Sequence, residues 1–464
     1  MLLFLLLSCT PDSPGRSGDP RFAKAIVSRV VPTVVHLKWE STLEGTAFVR
    51  YGETSVSFST PPSSSPATSH RITVFGLKAG QDVVLQGVVQ DTDGNEELTE
   101  LVELTLDPPP ADLPRFELTE DSDGLLPGYI LLSLMEPGQG WVLILDQDAD
   151  PVWFTKVEGG LVAVSPSPSM DGQSILFDHY DIQERTDVSG FTRMSLDGTV
   201  REPSRLPLGH HDYAELPDGQ VAWIAADIRD AEVEGETIAV AGDSVQVRQE
   251  GLEEVEGDQV FSYWDLTDPY VSCDHFYVDA NRTGAMDWTH ANSLIYLPED
   301  ESMVVLSKNL DALVKFDLAS GERQWQIGGR DETLSPLGSS RGWSHPHLSH
   351  VWEDGFVIFD NAYHTGSASQ VTEYRYDLAS GIYERVWNYT HPDESFIQIL
   401  GDVRKLPDAT YLVSWTSLGT LSRIDADGDV LWQAESQLGA ATGRLSFIED
   451  LYTLDQPQQA TLRR

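Results

Sequence analysis

The sequence predicts an all-β protein. Its 464 residues contain no sustained helical period, and short runs of alternating apolar and polar residues are broken by Gly, Pro, Asp and Asn. Two short motifs also recur over most of the chain, and such recurrence is typical of repeat folds. We therefore expect a small β domain followed by a large array of β repeats.

The first predicted unit spans residues 22–107. Runs such as "GTAFVRYGE" and "QDVVLQGVVQD", with turns such as Asp93-Gly94 between them, predict six or seven strands and hence a small β-sandwich. The stretch "FGLKAGQDVVLQGVVQDTDG" resembles the E–F–G region of fibronectin type III domains, which implies a spacer or docking module. The Pro-rich "DPPPADLP" is expected to be a stiff linker, with the second domain spanning 108–464.

Two alternating motifs organise the second domain. One is a turn that leads into an apolar strand, as in "ELPDGQVAWI", "YLPEDESMVVL" and "VWEDGFVIF". The other is a strand, a polar turn and a second strand, as in "LVKFDLASGERQWQI" and "YRYDLASGIYERVW". Six copies of each predict six four-stranded blades, and therefore a six-bladed β-propeller. A β-helix fits less well because the repeat is too long, and a seventh blade stays open.

The charge of the chain argues against two classes of partner. With 74 acidic and 30 basic residues the formal net charge is −44, which disfavours binding to nucleic acid or to an anionic membrane surface. The acidic residues are spread along the chain, as expected for a solvated surface. An anionic substrate would therefore need local positive charge within its own site.

The N-terminus predicts export. "MLLFLLLSCTPDSP" has a short apolar run that ends at Cys9, followed by a polar tether, which together make residues 1–21. This pattern resembles a bacterial lipoprotein signal in which Cys9 is lipidated, and an ordinary secretory signal is the alternative. Cys273, the other cysteine, would then be unpaired. We expect a lipoprotein of the periplasm or outer membrane, or an extracellular protein.

A repeated register of polar residues precedes the turns. Three successive copies of the turn open with Leu216, Leu297 and Trp352, and the residues five positions earlier are His211, Asn292 and His347. Seven positions before the second and third of these turn residues stand His290 and His345. Because strand side chains alternate, residues two apart share a face. We therefore expect three neighbouring blades to direct these residues into the central channel, with His210 as an alternative to His211.

Histidines in a channel suggest two kinds of chemistry. Three of them can form an open zinc site, but the sequence has no HExxH motif and no cysteine near the register. The other option needs no cofactor. A neutral histidine attacks an electrophilic sulfur or phosphorus, a second one transfers protons, and an amide and a cation hold the developing negative charge.

The same residues resemble a known family. "DWTHANSLIYLPEDESMVVLSKN", "GHHDYAELPDGQ" and "SHPHLSHVWEDGFVIFDN" are similar to the motifs of the bacterial aryl-sulfate sulfotransferases, and the similarity covers about residues 160–464. The resemblance implies a periplasmic six-bladed propeller that works through a sulfohistidine without a nucleotide cofactor. It places the nucleophile at His347, with His211, His290 and Asn292 beside it. The family's arginine after the D-W-T-H motif is replaced here by Lys308, which keeps the charge but lacks the bidentate fork.

The resemblance implies transfer of a sulfuryl group from a phenolic sulfate ester to a phenol. His211 or His290 would assist departure of the phenolate, and Asn292 and Lys308 would stabilise the oxyanions. Trp288 and Trp343 are candidates for stacking on the aryl ring, with ordinary blade packing as the alternative. Two other functions stay open: an aryl sulfate hydrolase, and a non-catalytic binding propeller of the cell envelope.

Overall fold

A computed structural model describes residues 21–124, 128–136, 138–180, 188–248, 257–271, 284–338, 340, 342–436 and 441–454. Cys9, the predicted signal and Cys273 lie outside these residues. The chain divides into two compact units. The described part of the first comprises residues 21–28, 34–74 and 80–108; the second comprises 29–33, 75–79 and the residues from 109 onward.

The first unit is an antiparallel sheet of seven strands: β1 (Ala23–Val27), β2 (Val35–Gly52), β3 (Phe58–Ser59), β4 (Ala67–Val74), β5 (Asp82–Gln90), β6 (Glu96–Leu98) and β7 (Val102–Thr105). The long β2 pairs with β1 and β4 through its first half and with β3 and β5 through its second half. Alternate residues of β2, Val35, Leu37 and Trp39, are buried. The likeness to fibronectin type III domains stays a prediction.

The second unit contains six sheets, each with four or five strands, arranged as a six-bladed β-propeller. Blade 1 contains β9 (Tyr129–Glu136), β10 (Gln139–Leu145), β11 (Pro151–Val157) and β34 (Ala441–Ile448). Blade 2 contains β12 (Ser167–Pro168), β13 (Ser174–His179), β14 (Gly190–Ser195) and β15 (Arg201–Arg205). Blade 3 contains β16 (Gly209–Glu215), β17 (Val221–Val233), β18 (Glu236–Arg248), β19 (Gly257–Ser262) and β20 (Met286–Asp287).

Blade 4 contains β21 (Ala291–Leu297), β22 (Ser302–Ser307), β23 (Ala312–Asp317) and β24 (Arg323–Gly328). Blade 5 contains β25 (Ser335–Pro336), β26 (Pro346–Trp352), β27 (Gly355–Asp360), β28 (Gln370–Asp377) and β29 (Ile382–Thr390). Blade 6 contains β30 (Asp402–Lys405), β31 (Tyr411–Trp415), β32 (Thr420–Ile424), β33 (Val430–Ser436) and β8 (Phe116–Asp121). Short 3₁₀ turns span Glu158–Gly160, Pro217–Gly219, Tyr263–Asp265 and Thr416–Leu418. None of the described helices is long and apolar enough to cross a membrane.

The predicted all-β chain with a six-bladed propeller is confirmed, and each motif pair falls within one blade. The first strands of successive blades, which include β16, β21, β26 and β30, contact one another and surround the channel axis. Two segments distant in sequence close the ring, since β34 pairs with β9 in blade 1 and β8 pairs with β33 in blade 6. Pairing by these two segments completes the first and last blades, so that the ring is closed by strands from both ends of the propeller sequence.

Apolar layers between neighbouring blades form the core. Strands β22 and β27 are buried along their whole length because they lie between two other sheets. The layer between blades 4 and 5 joins Leu306, Trp325, Phe356 and Tyr374. The twice-occurring "DLASG" turn has a local explanation: the Asp317 carboxylate accepts the Ser320 N–H at 2.8 Å, and Gly321 adopts a φ of 71° that suits glycine.

Candidate functional site

Three histidines from three successive blades meet at one end of the channel. The ring centroids of His211 and His290 are 4.8 Å apart, and those of His211 and His347 are 6.2 Å apart. His211 lies in β16, His290 immediately precedes β21, and His347 lies in β26. The three side chains that the sequence register predicted therefore lie within contact of one space.

Irregular backbone at the same level of each strand directs these side chains. The pairing register shifts between Gly209 and Tyr213, between Ala291 and Ser293, and between His347 and Ser349. His211 and His290 have φ values of 58° and 46°, in the left-handed region that side chains rarely adopt. Each such residue costs roughly 1–3 kcal/mol, and both bulges and backbone strain of this kind cluster at functional sites.

Two carboxylates orient two of the histidines. His290 Nδ1 lies 2.5 Å from Asp287 Oδ2, and His210 Nε2 lies 2.9 Å from Asp243 Oδ1. Burial acts to raise the pKa of Asp287, but the charge and hydrogen bond of His290 outweigh it and lower that pKa. Burial likewise acts to lower the pKa of His210, but Asp243 outweighs it and the pKa is raised. Asp243 thus favours the positively charged form of His210, and Asp287 fixes the orientation of the His290 ring.

His210 in turn sets the state of His211. The two Nδ1 atoms are 2.8 Å apart. The raised pKa of His210 favours its charged form, in which both ring nitrogens donate, one to Asp243 and one to His211. Burial and then the neighbouring charge of His290 lower the pKa of His211 well below its usual value, so His211 is neutral. Because its Nδ1 accepts, its proton lies on Nε2, which makes His211 a hydrogen-bond donor.

His347 has the properties of a nucleophile. Its side chain is 4% exposed, and its buried Nδ1 has no hydrogen-bond partner among the described residues. Burial, followed by the charges of Lys308, His290 and Arg444, lowers the pKa of His347 well below its usual value. The imidazole is therefore neutral at neutral pH and keeps a lone pair for attack.

Lys308 lies beside the histidine cluster. It is 7% exposed, its backbone N–H donates to the His290 carbonyl at 3.1 Å, and its charge acts on His211, His347 and Asp287. A buried ammonium at this point supplies the local positive charge that an anion needs in so acidic a protein.

Asn292 is fully buried, and its position limits its role. Its Nδ2 donates to the Pro346 carbonyl at 2.9 Å, which ties β21 to β26 directly before His347. Its Oδ1 has no hydrogen-bond partner among the described residues. The amide therefore holds the strand of His347 in place, and only its second N–H remains to contact a ligand oxygen.

Three further residues from the sequence analysis lie apart from the cluster. His345, with a φ of 52°, stacks on Tyr363 at 5.1 Å and has its Nε2 2.8 Å from that of His364. The expectation that His345 and His347 share one face fails because the backbone between them is not a regular strand. Trp288 packs against Trp264 at 5.1 Å, and Trp343 packs between Phe356 and Tyr374. Both tryptophans lie in blade cores, in keeping with the packing alternative.

The sequence analysis missed four residues that support the site: Asp212, Asp243, Asp287 and Arg444. Asp212 Oδ2 accepts the Leu294 N–H at 2.7 Å and pairs with Arg444 Nη2 at 2.5 Å. Asp287 stands in the D-W-T-H motif itself, so its spacing of three from His290 was a usable signal. Asp243 and Arg444 belong to strands that have no counterpart in the motif alignment.

Metal binding by the histidines finds no geometric support. Within the described ranges, the one group that brings three ligand atoms within 4.8 Å of one another is Asp146, Asp148 and Asp150. The Lys78 ammonium lies 3.0, 2.7 and 2.8 Å from these three carboxylates, which accounts for their clustering. In the histidine cluster, two rings are instead oriented by carboxylates.

Comparison with known proteins decides the family. The model of the arylsulfotransferase (ASST) family matches residues 142–438, which is more than half of the chain. The chain belongs to the arylsulfotransferase family. Membership supports a transferase-type enzyme that acts on aryl sulfates and phenols. No curated protein matches this arylsulfotransferase.

Several solved structures share a limited likeness with the chain. A protein of unknown function from Bacteroides caccae is 14% identical, with 67% of this chain and 94% of that one covered and a TM-score of 0.40. A catalytically inactive virginiamycin B lyase from Staphylococcus aureus, with quinupristin, is 9% identical, with 68% and 87% covered and a TM-score of 0.36. A putative 6-phosphogluconolactonase from Bacteroides fragilis is 10% identical, with 88% and 99% covered and a TM-score of 0.33. The family assignment therefore rests on the sequence model alone.

Proposed function

We propose that this arylsulfotransferase moves a sulfuryl group from a phenolic sulfate ester to a phenolic acceptor through a sulfohistidine at His347. The observation that carries the proposal is the state of His347: a buried, neutral imidazole with an unpartnered Nδ1, beside the ammonium of Lys308 and the Asp287–His290 pair. The ammonium attracts the sulfate ester, and the neutral ring supplies the attacking lone pair.

In the first half-reaction, a ring nitrogen of His347 attacks sulfur. The new N–S bond forms as the S–O bond to the aryl group breaks, and the electron pair leaves on the phenolate oxygen. His290, oriented by Asp287, donates a proton to that oxygen. The products are a phenol and a zwitterionic sulfohistidine. Lys308 and the Nε2–H of His211 hold the negative charge on the sulfuryl oxygens.

The second half-reaction reverses these steps with a new phenol. The acceptor returns a proton to His290 while its oxygen attacks sulfur and the N–S bond breaks. His347 is released as a neutral imidazole, and protons balance over the cycle. Imidazole is a good nucleophile and a good leaving group at neutral pH, so the same residue serves both steps without a cofactor.

The experiment is release of 4-nitrophenol from 4-nitrophenyl sulfate, measured with and without added phenol. The wild type is expected to show release that depends on phenol and yields phenyl sulfate. His347→Ala should lower kcat/KM by about a millionfold, as removal of a nucleophile does elsewhere. His391→Ala, a histidine packed on Trp415 at 5.0 Å outside the cluster, is the matched control and should leave the rate unchanged.

Two outcomes would replace this proposal. Phenol-independent release that requires His347 would indicate an aryl sulfate hydrolase. No release with any of several aryl sulfates would favour a non-catalytic binding propeller.

Export is proposed separately: palmitate should label the wild type and not Cys9→Ala, and a mature N-terminus elsewhere would contradict lipidation at Cys9.

A further inference from the structure

Arg444 reaches across the channel from the strand that closes the ring. It lies in β34 of blade 1, and its Nη2 contacts Asp212 Oδ2 at 2.5 Å and Ser293 Oγ at 2.9 Å. These partners belong to the first strands of blades 3 and 4, and blade 4 is opposite blade 1 in a ring of six. The side chain of Arg444 therefore crosses the channel, and the residue is 7% exposed.

The guanidinium lies directly behind the histidine cluster. Asp212 and Ser293 each follow by one residue the site positions His211 and Asn292. The Ser293 hydroxyl in turn lies 3.4 Å from the Ser349 hydroxyl in the strand of His347. Arg444 thus lies one residue further along the first strands than His211 and Asn292, and this level of the channel is called its floor below.

The contacts of Arg444 use only part of its guanidinium. Asp212 accepts backbone N–H groups from Leu294 at 2.7 Å and from Tyr213 at 3.0 Å, and Arg444 supplies the opposing charge through Nη2. Arg444 Nε is buried and has no hydrogen-bond partner among the described residues. An unmade hydrogen bond on a buried cation is costly unless a ligand completes it.

We propose that Arg444 is a second anion-binding residue of the site and that it contacts the sulfuryl oxygens from the floor of the channel. The proposal rests on the transfer function above and adds the planar donor group that Lys308 lacks. A guanidinium presents fixed N–H donors that match the oxygens of a tetrahedral anion, whereas an ammonium acts as a point charge. Ring closure by β34 would then complete the site as well as the fold.

The field of Arg444 provides a readout that a purely structural residue would not change. Its positive charge contributes to the lowered pKa of His347, after burial, Lys308 and His290. Removal of that charge should let His347 hold its proton more easily. The acid limb of the kcat/KM profile should then move to higher pH.

The test compares Arg444→Met with Arg423→Met. Arg423 is a matched control, since it is a buried arginine in blade 6 whose Nη2 pairs with Asp408 at 2.6 Å. Inorganic sulfate binding is measured by calorimetry, and kcat/KM for 4-nitrophenyl sulfate is measured across pH. Arg444→Met should weaken sulfate binding by about 10- to 100-fold and lower kcat/KM by about 100-fold. Arg423→Met should lose thermal stability and keep both.

A second variant covers the case in which Arg444→Met does not fold. The double substitution Arg444→Met with Asp212→Asn removes both charges, so no buried carboxylate is left unpaired, and its amide oxygen still accepts the Leu294 N–H. A folded protein with weakened sulfate binding supports the proposal. Wild-type sulfate affinity and an unmoved acid limb in either folded variant would overturn it.

The same experiment separates this proposal from the transfer function. If the wild type binds sulfate through Arg444 and transfers no sulfuryl group, the anion site stands and the transfer function fails. If the wild type transfers and the Arg444 variants match it in kcat/KM, the transfer function stands and Arg444 is only a structural partner of Asp212.

Discussion

Strands β26 and β30 occupy equivalent places in neighbouring blades, but only β26 carries a residue of the histidine cluster. Counted from the turn that follows, His347 in β26 corresponds to Gly401, directly before β30. A Cβ on Gly401 would lie 2.3 Å from the ring of Phe359, the residue that pairs with His347 across the blade. Gly401 therefore makes room for the packing behind the nucleophile, whereas His347 projects into the site.

The residue that follows this position is an aspartate both in blade 6, after Gly401, and in blade 3, after His211. Asp402 Oδ2 accepts the Leu445 N–H at 2.7 Å, as Asp212 Oδ2 accepts the Leu294 N–H at the same distance. Each aspartate ties its blade to the next first strand, whether or not a histidine precedes it. The link is made in blades 3 and 6, whereas Ser293 and Leu348 stand at the equivalent position in blades 4 and 5.

Among the substitutions that test this contrast, the largest effect is expected at Lys308. Its charge acts on His347 in β26. Lys308→Met should lower kcat/KM for 4-nitrophenyl sulfate by about 100- to 1,000-fold, because a cation that holds the transition-state charge is lost. The acid limb of the profile should move to higher pH, since Lys308 contributes to the lowered pKa of His347. Lys308→Arg should preserve the position of that limb, and a limb that Lys308→Met leaves unmoved would contradict the assignment.

A smaller loss is expected at Asp287. Asp287→Asn removes the carboxylate that pairs with His290 at 2.5 Å and should lower kcat/KM by about 10- to 100-fold. The loss should be greater with phenyl sulfate than with 4-nitrophenyl sulfate, because the poorer leaving group depends more on proton donation. Equal losses with both donors would show that the pair does not assist the leaving group.

Substitution of Gly401 should affect stability rather than chemistry. Gly401→Ala places a methyl group against Phe359 at a residue with a φ of 98° and should lower the free energy of unfolding by about 1–3 kcal/mol. Chemical denaturation measures the loss, and kcat per folded molecule should change less than tenfold. A stable but inactive Gly401→Ala would show that the two strands are not divided as described.

The smallest effect concerns His350, in the same strand as His347. Burial, followed by the charges of Arg404, Arg444 and Lys405, lowers its pKa from 6.5 to about 3. Between these values the unfolded chain binds a proton that the folded protein excludes, so the free energy of unfolding falls as pH drops below 6.5.

His350→Gln retains an acceptor for the Lys405 N–H, which His350 Nδ1 receives at 3.1 Å. The loss of unfolding free energy between pH 6.5 and pH 5.5 should be about 1 kcal/mol smaller in this variant than in the wild type. Denaturant titrations at both pH values measure the difference. If the free energy of unfolding changes equally with pH in the two proteins, the pH dependence arises from groups other than His350.

Sequence reasoning recovered the repeat and the part of the site that the repeat carries. His211 and His347 were found because each stands five residues before the residue that opens the following turn. His290 stands seven residues before it, and a difference of two residues keeps a side chain on the same face of a regular strand. His345 was misplaced because strand alternation assumes regular backbone, and the left-handed residues and bulges at this level break it. Arg444 was missed because the closing strand β34 comes from the end of the chain and repeats none of the motifs.

The central claim is that His347 carries the sulfuryl group between donor and acceptor. The most direct measurement is peptide mass spectrometry of the enzyme after it is quenched during turnover of 4-nitrophenyl sulfate without phenol. The account predicts one SO₃ group on the peptide that contains His347, which disappears when phenol is added. Phenol-dependent transfer with no modified peptide, or with the group on His211 or His290, would contradict it.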